Sequence, residues 1–174
     1  MALAVCLLFD APSAARVRRL WAHLERQGVA TLASHTHGQH LPHLSYAVLR
    51  SWDLAEVREV LEPLDGGGQV SLSCQGAVVF PRGRVALAPA LSSQVRARQE
   101  QVVEALAGTG ADLHHNYVRG RWLPHVSVAT RARAEQLAVL ARTVADVVPL
   151  VLQADRAALV DSGTGEQWPL PQVP

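Results

Sequence analysis

Apolar positions change their period along this chain, and each change marks an element. Ala2–Phe9 is a continuous apolar run, as in a central strand buried on both faces. Past Asp10 the period turns helical. Val17, Leu20, Trp21 and Leu24 fall at i, i+3, i+4, i+7, Pro12 and Ser13 open the segment, and Gly28 closes it. Residues Ser34 to His40 read as a polar loop, and a strand follows to about Leu49. Asp53 and Glu56 are spaced as a capping box before a helix burying Leu54, Val57, Val60, Leu61 and Leu64. Asp65-Gly66-Gly67-Gly68 ends that helix in a flexible turn. Gln69–Phe80 and Arg84–Ala88 read as strands joined through Pro81-Arg82-Gly83. Ser92 or Ser93 caps a third helix striped by Val95, Gln99, Val102, Val103 and Leu106, and Gly108-Thr109-Gly110 stops it. A loop carrying His114, His115 and Asn116 leads to a strand over 123–129. Thr130 is placed to cap a fourth helix carrying Ala134, Leu137, Ala138, Ala141 and Val144. Late strands are expected near Leu150–Gln153 and Ala157–Val160, then a turn at Ser162-Gly163-Thr164-Gly165 and a short segment around Trp168. The end, with Pro169, Pro171 and Pro174, is expected to trail off.

The order helix, strand, helix occurs twice, and no low-complexity linker divides the chain. The expectation is one domain over residues 1–174, of α+β class and bilobal: two pseudo-symmetric antiparallel sheets face a central cleft, with helices on the outside.

Composition narrows the class. The chain has 174 residues, 49% hydrophobic and 18% charged, as in a soluble globular protein, and its formal net charge of +1 gives no overall field for polyanions. Any anion must be met by local groups, such as Arg119 and Arg121. Two cysteines, Cys6 and Cys74, sit in strand-like stretches and read as reduced, packed thiols. The opening apolar run lacks a basic leader and meets Asp10 at once, so it reads as a strand rather than a signal peptide. No segment is long enough to span a bilayer. The expected location is cytoplasmic, with no membrane and no obligate protein partner.

One phrase then changes the picture. Leu41-Pro42-His43-Leu44-Ser45 returns in the second half as Leu123-Pro124-His125-Val126-Ser127. Of eight histidines, only His43 and His125 have serine or threonine two positions on. On an extended chain i and i+2 point to one face. His43, Ser45 and Ala47 are therefore expected on one face with Leu44, Tyr46 and Val48 opposite; His125, Ser127 and Ala129 are expected opposite Val126 and Val128. The proline before each histidine cannot donate to a ladder, so each motif begins its strand at an edge or bulge. Facing pairs of this kind suit phosphoester chemistry without a metal. A neutral imidazole takes a proton from the attacking oxygen, a charged one gives a proton to the leaving oxygen, and Ser45 and Ser127 hold the phosphate oxygens.

These residues resemble the 2H phosphoesterases, the superfamily containing bacterial 2′-5′ RNA ligases and cyclic phosphodiesterases. Its mark is two copies of His-x-Thr/Ser-x, with x usually apolar, about half the chain apart. His43-Leu44-Ser45-Tyr46 and His125-Val126-Ser127-Val128 match both copies. Trp122-Leu123-Pro124 ahead of the second copy and Thr130-Arg131 after it are similar to the family's Phe-x-Pro-His-Val-Thr-Leu-Ala-Arg setting. Serine stands where threonine is commoner, which keeps the donor and loses the methyl that fixes its rotamer. Tyr46 stands where an aliphatic residue is usual. The resemblance implies a bilobal α+β fold with an open cleft. It also implies metal-independent action, with no cofactor, on a 2′,3′- or 1″,2″-type cyclic phosphate or a 2′-5′ linkage of RNA or a nucleotide. Hydrolysis and ligation both stay open.

Two other readings come from different classes. The cleft would serve equally as a non-catalytic RNA- or nucleotide-binding module. Alternatively, His35, His37, His40 and His43 crowd one short tract, as in a His-rich zinc-binding protein. As part of a cleft mouth, His37 and His40 become candidate substrate contacts. So do Arg119 and Arg121, which can pair with phosphate, and Trp122, which can stack on a base.

Overall fold

The computed structural model describes residues 2–173. Its strands are β1 (Leu3–Phe9), β2 (His43–Leu49), β3 (Val70–Phe80), β4 (Arg84–Pro89), β5 (Val126–Ala129), β6 (Leu150–Asp161) and β7 (Gln167–Pro169). All pairings are antiparallel, in the order β2-β1-β6-β3-β4-β5, with β7 also on β6. The expected class is found, with one refinement. The two three-stranded halves, β2-β1-β6 and β3-β4-β5, are hydrogen-bonded into one sheet, because β6 is one long strand where two short ones were expected. Its first part, Leu150–Ala154, pairs with Val70–Cys74 of β3, and from Ala154 onward it pairs with β1. The far edges, β2 and β5, come back into contact without pairing. The sheet is thus folded so that both motif copies meet.

Helices α1 (Ala11–Arg26), α2 (Leu54–Leu61), α3 (Ser93–Ala107) and α4 (Leu137–Ala145) cover the other face. Burial of Val17, Leu20, Trp21 and Leu24 against Leu3, Val5, Leu7 and Phe9 makes the main core. At roughly 1.5–3 kcal/mol per buried large side chain, this packing holds the helices to the sheet. Asp10 starts α1 by accepting from Ser13 N at 2.8 Å, and Asp53 starts α2 by accepting from Ala55 N and Glu56 N.

Several local expectations change. Thr130 caps no helix: its N donates to Ala30 O at 3.0 Å, and a 3-10 turn over Ala134–Gln136 precedes α4. The glycine turn after α2 is held, because buried Arg98 donates to the carbonyls of Gly67 and Gly68 and Val173 O accepts from Gly67 N. The Pro-rich end does not trail off through Val173. Leu170 and Val173 are buried, and Leu170 N donates to Ala157 O at 2.9 Å. Among the described residues, no helix is long and apolar enough to cross a membrane.

The most informative departure lies inside the motifs. On β2, Val5 pairs with Ala47 but Cys6 pairs with Ser45, so Tyr46 is an inserted residue. On β5, Val85 pairs with Ala129 but Ala86 pairs with Ser127, so Val128 is inserted. Strict alternation therefore breaks one residue after each serine. Ala47 and Ala129 turn into the main core beside Tyr46 and Val128 instead of sharing the face of the histidines. Such bulges re-aim side chains and bend a strand, and here the same device is used twice at equivalent places.

Candidate active site

The same local geometry appears at both histidines. His43 Nδ1 lies 2.7 Å from Leu41 O, and His125 Nδ1 lies 2.9 Å from Leu123 O. A carbonyl only accepts, so each Nδ1 carries the proton and each neutral ring keeps Nε2 free. The prolines explain the local fold. Pro42 and Pro124 cannot donate to a ladder and lie outside the strands, and the carbonyl two residues before each histidine meets its ring. Both imidazoles are half-buried on the face opposite the main core. Burial pulls both below the usual histidine pKa, against the Nδ1 bonds, which favour the charged form. His125 adds a further lowering to His43, the mark of two rings near enough to feel one another's charge.

Ser45 is buried, and its Oγ lies 3.7 Å from Cys6 Sγ; Ser127 is half-buried opposite Ala86. Beneath the site, Ala4, Cys6, Leu8 and Ala158 form a small apolar floor, with Val48 beside it. Burial raises the Cys6 thiol to about 12, so it is a packed, neutral group. Tyr117 reaches in from the loop beside β2. Burial chiefly, with Cys6 adding to it and Ser45 and Arg84 opposing, lifts its hydroxyl to about 12, and it remains a proton donor.

Three residues here escaped the sequence reading. Phe80 stands 4.9 Å from the His125 ring by centroids. Arg84 pairs with Phe80 across β3 and β4, shares the face of Ser127 by alternation with Ala86, and is exposed. Its charge acts on His125, and also on Tyr117 and His114 on the β2 side. Tyr117 is the third. The available signal was the run Phe80 to Arg84, in which an aromatic and a cation flank a turn between strands.

The other candidates spread around the mouth. The His37 ring packs against Gly165, where a Cβ would meet it at 2.7 Å, and the His40 ring lies tilted against His37 at 4.1 Å. His37, His40 and His43 line one small pocket with Leu8, Leu41 and Val160. Burial first, then its histidine neighbours, pulls His40 to about 4. Among the described residues, no group of three or more His, Cys, Asp or Glu side chains is arranged to hold a metal ion. Arg119 pairs with Glu100 at 3.3 Å, Arg121 is exposed, and Trp122 is half-buried with its indole N–H donating to Ser45 O at 3.0 Å.

This geometry has relatives. The sequence model of the 2′-5′ RNA ligase superfamily matches residues 9–166, and the chain belongs to that superfamily, within the 2H phosphoesterases. No curated protein matches the chain. In fold it is similar to a crystal structure of a phosphoesterase (TM-score 0.59, 11% identity, 99% of this chain and 98% of that one). It is also similar to Escherichia coli LigT in apo form (0.56, 13%, 97% and 94%). A third similar structure is Kluyveromyces marxianus Usb1 with uridine monophosphate (0.54, 16%, 98% and 98%).

Proposed function

We propose that this protein is a metal-independent phosphoesterase acting on a cyclic phosphate (2′,3′- or 1″,2″-type) or a 2′-5′ phosphodiester of RNA or a nucleotide. His43 and His125 are its acid–base pair, and Ser45 and Ser127 hold the phosphate. The observation that carries this reading is the duplicated lock: two imidazoles on one face, each with Nδ1 tied to the carbonyl two residues back and Nε2 left free.

Hydrolysis of a cyclic diester then balances as follows. One neutral Nε2 takes a proton from water as its oxygen bonds to phosphorus. The bond from phosphorus to one ribose oxygen breaks, and the other imidazolium protonates that oxygen. The product is a phosphomonoester with a free hydroxyl; proton exchange with solvent resets the pair. The pseudo-symmetry of the two motifs lets either histidine serve as base, and the side on which the ribose oxygen leaves decides the assignment. Serine hydroxyls and imidazolium meet the charge that grows on the nonbridging oxygens. Arg84, near His125, adds positive potential.

Incubation with a 2′,3′-cyclic nucleotide and, separately, a 2′-5′-linked dinucleotide, in the presence of EDTA, tests the reading. Turnover of either is expected to proceed undiminished. Tight binding of both without turnover would instead support the binding-module reading, and activity abolished by EDTA would support the zinc reading.

The pH dependence follows from the sign of the shifts. Both histidines are lowered in the free protein, so the form with one neutral and one charged ring is most populated below about pH 6.5. The kcat/KM profile is expected to be a bell centred there, with limbs belonging to the coupled pair. An anionic substrate favours the charged imidazole and raises both values, so the kcat profile lies at higher pH than that of kcat/KM. Initial rates from pH 4 to 9 check this; a single-limbed kcat/KM profile counts against paired catalysis.

A further inference from the structure

We propose that Trp21 and Trp122 are positioning residues, a reciprocal pair of indole braces that hold Ser45 and Ser127, and through them the two imidazoles, at their working separation. The inference rests on the two-histidine reading above. Trp122 Nε1 donates to Ser45 O at 3.0 Å, and Trp21 Nε1 donates to Ser127 O at 3.0 Å. The crossing is reciprocal. Trp122 introduces the second motif and binds the first; Trp21, on the helix that follows β1, binds the second. Among the described residues, the other two tryptophans, Trp52 and Trp168, make no side-chain hydrogen bond.

These carbonyls sit where the sheet is most pliable. β2 and β5 are the two edges of the sheet, and each serine stands just before a bulge that interrupts its one ladder. An edge carbonyl left to water would let the serine and its neighbouring histidine shift along or away from the opposing strand. The indole N–H is a single donor with no acceptor, so it fixes a direction. Packing fixes the donors themselves: Trp21 is fully buried, and Trp122 stands edge-on to Tyr46 at 5.8 Å. Neighbouring edge groups are tied by other means, with Gln99 Nε2 donating to Tyr46 O at 3.2 Å and His114 N to Val48 O at 2.8 Å. Like Gln99 on α3, the indoles run from one motif copy to an element of the other half, and they do so at the serines themselves.

The test uses Trp21→Phe and Trp122→Phe, together with proteins carrying benzothienylalanine at each position, which keeps the bicyclic shape and lacks the N–H. Rates are measured on a 2′,3′-cyclic nucleotide. The His43 and His125 C2 protons are titrated by NMR with and without inorganic phosphate. The benzothienyl variants are expected to lose about 10²-fold in kcat, as a misplaced catalytic group does. KM should move by less than about threefold. The mutual shift between the two imidazole titrations, and their response to phosphate, should shrink. Should the Phe variants fail to fold, the benzothienyl variants carry the test. Wild-type rates and titrations in those variants overturn the proposal, as does a lowered thermal midpoint with unaltered titrations. If the wild-type protein turns over neither this nucleotide nor a 2′-5′-linked dinucleotide, the catalytic reading fails separately, and the titrations still decide whether the braces set the spacing of the rings.

Discussion

Replacing either motif histidine by alanine is expected to lower kcat/KM by about 10²–10⁴-fold, the usual worth of one positioned proton carrier. His43→Ala removes a ring whose free Nε2 faces the site, and no other imidazole replaces it. His40 lies nearest in sequence, but its Nε2 is engaged by Thr36 Oγ1 at 2.7 Å and its ring packs against His37. His125→Ala removes the ring packed on Phe80. The two losses should not multiply, because a base without its acid completes no turnover; the double variant should be little worse than the poorer single one. Stability should change far less. Each ring is half-buried, and its loss frees one backbone carbonyl, worth about 1 kcal/mol. Parallel kinetics and thermal denaturation check both halves of the statement. Retention of more than about a tenth of wild-type activity in either variant would remove that histidine from the mechanism.

How far the sequence foretold this site depends on what each signal encodes. Residues repeating at i and i+2 encode a face, and His43 with Ser45 and His125 with Ser127 share one in the structure. Periodicity counts residues and is blind to an insertion in a ladder, so Ala47 and Ala129 were placed on the wrong face: nothing local in Ser45-Tyr46-Ala47 or Ser127-Val128-Ala129 announces that the middle residue is extra. The first three helices are legible from their apolar stripes; α4 instead buries Leu140, Thr143 and Val144 and leaves Ala134, Ala138 and Ala141 of the expected stripe exposed, and the burial of Arg98 is not legible. Its carbonyl partners at Gly67 and Gly68 lie a whole strand pair away in the chain, and a cation's burial is decided by such partners. Arg84, Phe80 and Tyr117 were missed for a related reason. Each comes near the motifs through pairing or loop placement, which are tertiary facts. Trp122 is legible as an aromatic beside the motif; which of its atoms matters is set by Ser45 O lying within reach of the indole N–H, a tertiary fact.

The two serines should prove unequal, and that inequality separates their chemistry from their packing. Ser45→Ala and Ser127→Ala each remove one hydroxyl from the side proposed to hold phosphate, and the loss of a single preorganised donor is expected to cost about 10²–10³-fold in kcat. Threonine is the sharper probe, since it keeps the donor and adds one methyl. At Ser127, half-buried beside the small Ala86, that methyl has room at the open side of β5, and Ser127→Thr should retain most activity. At Ser45, 8% exposed with Cys6 Sγ 3.7 Å away on the neighbouring strand, the methyl must displace packed atoms; overpacking of this kind costs about 1–3 kcal/mol. Ser45→Thr should therefore lower the thermal midpoint as well as kcat, and Cys6→Ala in the same chain should restore part of both by making space. If Ser45→Thr behaves like Ser127→Thr, the thiol does not confine that hydroxyl. If both alanine variants keep wild-type kcat, the serines serve the strands and not the phosphate, and the anion must be held by the imidazoles, Tyr117 and Arg84 without them.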